Sequence, residues 1–193
     1  MRDIILSAFA ASVKTKQQII QNETLLQRIE LLTQKIIECY QKGGKVLWCG
    51  NGGSAADAQH LAAELSGRFY YDRQPLYSEA LHVNTSYITA VANDYSYDEI
   101  FARLVKAMMK PEDIIIGLST SGNSKNVLNA IVEANKIGAF TVGFTGESGG
   151  KMKDVVQLLI NVPSHDTPRI QESHMMIGHT VCQLVEAIIF PRK

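Results

Sequence analysis

Residues Val46 to Glu64 read "VLWCGNGGSAADAQHLAAE". Five buried-type residues break at a run of glycines, and a helix-forming segment follows. An apolar run, a glycine turn and a helix in that order describe one unit of a parallel α/β sheet. The turn then falls at the carboxyl end of the strand, where such sheets gather their ligands.

The pattern repeats along the chain. Short apolar segments stand at 45–49, 79–83, 113–119, 140–146 and 155–162, and the segments between them are long enough for crossover helices. The runs are continuously apolar, as expected for strands covered on both faces. The fold class is therefore α/β, a three-layer sandwich around a five-stranded parallel sheet. Two helices precede the first strand, near 2–21 and 23–42. In the second, Leu25, Ile29, Leu32, Ile36 and Tyr40 form one stripe, and "KGG" at Lys42 to Gly44 closes it with a left-handed cap. Thr167 and Pro168 predict the cap and first position of a last helix that runs to about Phe190. His82 is expected within the second strand.

Ile5, Phe9, Val13 and Ile20 recur at helical intervals, so the N-terminus reads as an amphipathic helix rather than a secretory signal. This helix has no strand of its own to cover, which predicts a homo-oligomer. One domain spans 1–193, with 1–43 as a helical extension used in assembly.

With 46% apolar residues in 193, the chain can bury one substantial core. Its 19 basic and 19 acidic residues balance, which argues against a nucleic-acid groove or an acidic-membrane binder. Cys39, Cys49 and Cys182 lack paired spacing, and a reducing, cytoplasmic compartment fits them. No apolar run reaches the roughly 18 residues of a membrane span.

Three polar turns fall at strand ends. "STSGNS" (Ser119 to Ser124) supplies hydroxyls from Ser119, Thr120, Ser121 and Ser124 just before a helix. Helix-start N–H groups attract anions, so this turn reads as a phosphate cradle. It has no Walker lysine, which argues against a nucleoside triphosphatase. "GNGGS" (Gly50 to Ser54) has Ala55 where a dinucleotide fingerprint needs glycine, so a nicotinamide cofactor is not expected. Its glycines allow the backbone to approach a sugar or phosphate. "TGESGGK" (Thr145 to Lys151) is the third turn.

His60 and Glu64 lie four apart and share a helix face, with Asp57 on the same side. Gln171 and His179 are eight apart on the last helix. If the two helices meet at the strand ends or across a subunit contact, these N and O donors suit Zn²⁺. Glu172 and His174 are competing donors that spacing alone does not exclude. Asn93 and Asp94, in "ANDYSYDE", read either as a helix cap or as hydroxyl-binding groups. His165, in the loop before the last helix, is within reach of a substrate at the same end.

Together "CGNGGSAADAQHLAAELSGRF", "VANDYSYDEIF", "GLSTSGNSKNV", "FTGESGGKM" and "RIQESHMMIGH" resemble the sedoheptulose-7-phosphate isomerase (phosphoheptose isomerase) family of the sugar-isomerase (SIS) fold. The resemblance covers nearly the whole chain. It implies a flavodoxin-like sheet, a homotetramer and sites completed by neighbouring subunits. It implies conversion of sedoheptulose 7-phosphate to D-glycero-D-manno-heptose 7-phosphate, in a route toward lipopolysaccharide or related surface sugars. It implies one zinc ion per subunit, held by His60, Glu64, Gln171 and His179. The substrate-contacting positions it implies are Asn51, Gly52, Gly53, Glu64, Asn93, Asp94, Ser119, Thr120, Ser121, Ser124 and Gln171, with Ser54 completing the first turn. Moving a proton between adjacent carbons through an enediol needs a base and an acid. The resemblance gives those roles to Glu64 and His179. A zinc-bound carboxylate is a weaker base, so the two roles of Glu64 compete. Pro168 departs from the acidic residue that some of these isomerases carry there. A relative that binds the replication initiator DnaA shares the fold but replaces the glutamate and the last-helix histidine. It defines the second reading, a non-catalytic binding module or phosphosugar sensor.

Overall fold

The computed structural model describes residues 1–192. Five strands, β1 (Val46–Gly50), β2 (Ser78–Ala80), β3 (Ile114–Leu118), β4 (Phe140–Thr145) and β5 (Leu158–Asn161), form one parallel sheet in the order β2-β1-β3-β4-β5. Seven helices surround it: α1 (Arg2–Ile20), α2 (Glu23–Gln41), α3 (Gly53–Ser66), α4 (Thr85–Asp94), α5 (Ile100–Met108), α6 (Lys125–Ile137) and α7 (Thr167–Ile189). The direction of strand progression reverses between β1 and β3. That is the switch point at which this class of sheet leaves a crevice.

Strand alternation splits the core into two halves. Trp48, Ile116, Leu118 and Phe144 face α2, α3 and α7, whereas Leu47, Cys49 and Ile115 face α5 and α6. The edge strand is anchored by a polar link. Trp48 Nε1 donates to Ser78 Oγ (2.8 Å), and that hydroxyl donates to Val46 O (3.1 Å). All three cysteines are free and buried.

Leu25, Ile29, Leu32 and Ile36 of the α2 stripe are buried, with Cys39 joining them and Tyr40 half-buried, and Asn22 caps the helix by accepting from Leu25 N (3.0 Å). Gly43 adopts φ 76°, the left-handed cap that its sequence predicts. Three expectations need correction. β2 ends at Ala80, and His82 lies in the turn after it; this edge strand pairs with β1 through only three residues. β5 begins at Leu158 because a 3₁₀ turn at Met152–Asp154 draws in Val156, whose N–H donates to Met152 O (3.1 Å). Helix α7 is capped one residue earlier than predicted, by Asp166, with Thr167 already helical.

α1 packs on α7 and α2 yet leaves Ile4, Phe9, Val13 and Ile20 more than half exposed. No helix among the described residues is long and apolar enough to cross a membrane.

Candidate active site

The glycine turn after β1 and the hydroxyl turn after β3 flank the switch point, and one side-chain bridge locks them together. Asn51 and Asn126 exchange two amide hydrogen bonds (2.8 and 2.9 Å), and Tyr97 Oη donates to Asn51 Oδ1 (3.0 Å). Asn126 is buried in the first turn of α6. Sequence reasoning missed it, because its partner is 75 residues away. Gly52 adopts φ 56°, ψ −124°, which only glycine tolerates, and lets the chain turn sharply into α3. Ser54 is buried beneath this turn.

In the hydroxyl turn, Ser119 Oγ lies 2.9 Å from Ser124 Oγ and 3.5 Å from Ser121 Oγ. Ser124 caps α6 through its backbone without a side-chain bond, leaving its hydroxyl beside the helix-start N–H groups. Thr120 and Ser121 line a cavity of about 280 Å³ with Glu147, Ser148, Ser164, His165 and Thr167. The "TGESGGK" turn is built into this wall. Met152 N donates to Gly122 O (3.0 Å), and a β-carbon on Gly122 would strike Gly149 O at 2.2 Å. His165 Nε2 pairs with Glu147 Oε2 at 2.8 Å in the same wall. Asn93 and Asp94 end α4 as expected. They are exposed, and Asn93 Nδ2 donates to Asp94 Oδ1 (2.9 Å). A separate cavity of about 170 Å³, lined by Lys35, Cys39, Glu112 and Phe140, sits at the amino ends of the strands and holds none of these residues.

Helices α3 and α7 run side by side in register. Gly53 meets Gln171, Leu61 meets Gly178, and His60 meets His179. His60 Nε2 lies 2.9 Å from His179 Nε2 and 3.1 Å from Glu64 Oε1. One donor atom of each residue falls within 4.8 Å of the others. A single imidazole N–H cannot satisfy both contacts, whereas a cation among three such donors satisfies all of them. Two imidazoles and a carboxylate are also the donor types of catalytic zinc sites. The residues therefore fit the metal.

Gln171 is not in this cluster. Its amide rests where a β-carbon of Gly53 would be, and eight residues of helix, about 12 Å, separate it from His179. The two competing donors are engaged elsewhere. Glu172 pairs with Lys16 (3.2 Å) and Arg169 (3.4 Å) beside α1. His174 is fully buried, with Nε2 3.1 Å from Thr145 O, and burial pushes its imidazole down to about 4. Asp57, one turn before His60, has its carboxyl pushed up to about 6 by burial, against the pull of His60.

The comparisons agree with this geometry. The SIS domain family model matches residues 8–146. A phosphoheptose isomerase of Aneurinibacillus thermoaerophilus is 49% identical over 193 residues, covering 100% of this chain and 98% of the relative. One of Clostridium acetobutylicum is 46% identical with the same coverage. The solved structure of a phosphoheptose isomerase from Neisseria gonorrhoeae superposes with a TM-score of 0.91 at 36% identity, covering 96% of this chain and 98% of that one. With a hydroxyl-lined turn, an imidazole–carboxylate cluster and full-length relatives of one activity, the chain belongs to the phosphoheptose isomerase family of SIS-domain enzymes.

Proposed function

We propose that this isomerase converts sedoheptulose 7-phosphate to D-glycero-D-manno-heptose 7-phosphate by acid–base chemistry at the His60–Glu64–His179 cluster. The observation that carries the reading is the convergence of those three side chains between α3 and α7, the helices that leave the carboxyl ends of β1 and β5 on either side of the hydroxyl turn.

The hydroxyls of Ser119, Thr120, Ser121 and Ser124, with the helix-start N–H groups of α6, hold the phosphate. The backbone of Asn51, Gly52 and Gly53 and the side chains of Asn93 and Asp94 orient the sugar hydroxyls. Seven helical residues, about 10 Å, run from Gly53 to His60. In this reading the carbonyl end of the open-chain sugar phosphate extends from the two turns toward the cluster. Glu64 takes the carbon-bound proton of the ketose, and His179 supplies a proton to the carbonyl oxygen, giving the enediol. Glu64 then returns its proton to the former carbonyl carbon while the neighbouring enediol hydroxyl gives its proton back to His179, yielding the aldose. Each such group contributes roughly 10²–10⁴-fold in rate.

His60, Glu64 and His179 would hold a zinc ion, which when bound supplies Lewis acidity toward the carbonyl oxygen. Gln171, two helical turns from His179 in its own chain, joins such a set only from a neighbouring copy. The proposed homotetramer provides one, and it also gives the exposed Ile4, Phe9 and Val13 of α1 an apolar surface to bury against.

The test is to incubate the purified, zinc-supplied protein with sedoheptulose 7-phosphate and follow the product by NMR. An aldose signal that vanishes in Glu64→Gln is expected. A folded wild-type protein that leaves the ketose unchanged overturns the reading.

A further inference from the structure

Beyond the cluster, α3 and α7 are joined by one buried ion pair. Arg73 lies in the segment that follows α3, and its side chain is 2% exposed; that of Glu186 on α7 is 1% exposed. Arg73 Nη2 donates to Glu64 O (2.9 Å), and Nη1 donates to Leu65 O (2.8 Å) and Gly67 O (2.9 Å). These are carbonyls at the end of α3 that no intrahelical N–H can reach. Arg73 Nε donates to Glu186 Oε2 (3.2 Å). The same carboxylate accepts from Phe69 N (2.9 Å) and Tyr70 N (2.8 Å), and these bonds together with Arg73 hold its pKa below the usual glutamate value despite burial. Phe69 in turn places its ring 5.7 Å from that of His179.

Thus one guanidinium grips the backbone of the proposed base, and its counter-ion fixes the aromatic ring beside the proposed acid. A buried ion pair gives little stability beyond what well-packed apolar side chains would give, so its physical advantage lies in fixed geometry. Misplacing a catalytic group by about 1 Å can cost on the order of 10²-fold in rate.

We infer that Arg73 and Glu186 form a positioning pair that sets the placement of Glu64 relative to His179 and His60. The inference rests on the acid–base reading of that cluster.

The test compares the full-length wild type with Glu186→Gln, Glu186→Asp and Arg73→Lys, and with Asp113→Asn as a control. Asp113 makes a buried pair with Lys45 (2.6 Å) at the amino ends of the strands, and its carboxylate bonds only to Lys45 and Lys110, neither of them in the cluster. Three quantities are read: melting temperature, kcat and KM for sedoheptulose 7-phosphate, and retention of zinc against a chelator. In folded positioning variants, kcat should fall about 10- to 100-fold, with KM held within about twofold because the hydroxyl turn is untouched. Zinc should be lost at about tenfold lower chelator concentration. Asp113→Asn should melt early while keeping kcat and zinc. If the variants melt early yet keep both, the pair is structural only and the inference fails. Should Glu186→Gln not fold, Glu186→Asp and Arg73→Lys decide the matter by the same criteria. A wild type that turns nothing over refutes the proposed function, and zinc retention still judges the pair.

Discussion

Gly178 of α7 lies directly over Leu61 of α3, so that a β-carbon at 178 would sit 2.4 Å from Leu61 Cδ1. Leu61 is fully buried, so it can yield only by repacking the core around it. The absence of a side chain at 178 thus sets the separation of the two helices. The next residue is His179, whose ring must reach His60. Gly178→Ala should therefore push the helices apart just where the cluster is assembled. Overpacking of this kind costs about 1–3 kcal/mol. We expect a lower melting temperature and at least tenfold lower kcat/KM, since a catalytic distance is altered. Unchanged turnover would show that the helix spacing does not govern the chemistry.

Gly53 poses the opposite case. A β-carbon there would lie 1.9 Å from Gln171 Nε2, but Gln171 is partly exposed and can swing away. The backbone at 53 is helical, and alanine suits it better than glycine. Gly53→Ala should leave the melting temperature level or raise it slightly while displacing the Gln171 amide. If Gln171 serves the site, activity falls with no loss of stability. Thermal melts and kcat/KM on the same preparation distinguish this from a folding defect.

Where the residues carried local periodicity or turn chemistry, the fold could be read directly. The strand–turn–helix of Val46 to Glu64 and the five apolar runs are of that kind, because burial on both faces demands continuous apolar sequence. The short β2 departs from its apolar pattern because Leu81 and Val83 continue that pattern after the ladder has ended. In the site, the His60/Glu64 pair was legible from helical spacing. The choice of His179 over His174 was not, since it depends on which face of α7 meets α3. Arg73, Glu186 and Asn126 had no local signal at all. Their partners are 113 residues away for the ion pair and 75 for the amide bridge. Only the packed fold brings them together.

The Asn51–Asn126 bridge makes a prediction on the binding side. Asn126→Ala would leave Asn51 held only by Tyr97 and would strip Val127 N of its partner, Asn126 Oδ1 (2.9 Å). Losing buried hydrogen bonds of this type costs about 1–3 kcal/mol. The glycine turn and the hydroxyl turn would lose their common anchor, so the effect should fall on KM for the sugar phosphate more than on kcat. Steady-state kinetics with phosphate as a competitive inhibitor would check this. A variant with normal KM and weakened kcat would contradict it.

His174 gives a pH prediction whose sign follows from its burial. Its imidazole is pushed from 6.5 down to about 4 in the folded chain, chiefly by desolvation. Above pH 6.5 both folded and unfolded chains carry it neutral. As pH falls from 6.5 toward 4, the unfolded chain binds a proton that the folded chain refuses, and stability drains away, by roughly 3 kcal/mol at most. His174→Phe keeps an apolar ring against Phe144 and removes the titration. Thr145 O would lose the His174 Nε2 contact but keep the bond from Val162 N (2.9 Å), so the cost near pH 7 should be only about 1 kcal/mol. Asp57 works in the opposite direction between pH 6 and 4, because its carboxyl, raised by burial, takes up a proton in the folded chain first. The variant should therefore show a flatter decline of unfolding free energy from pH 6.5 to 4 than the wild type, measured by urea melts across that range. Parallel curves for the two proteins would mean that His174 is not the group through which acid destabilises the fold.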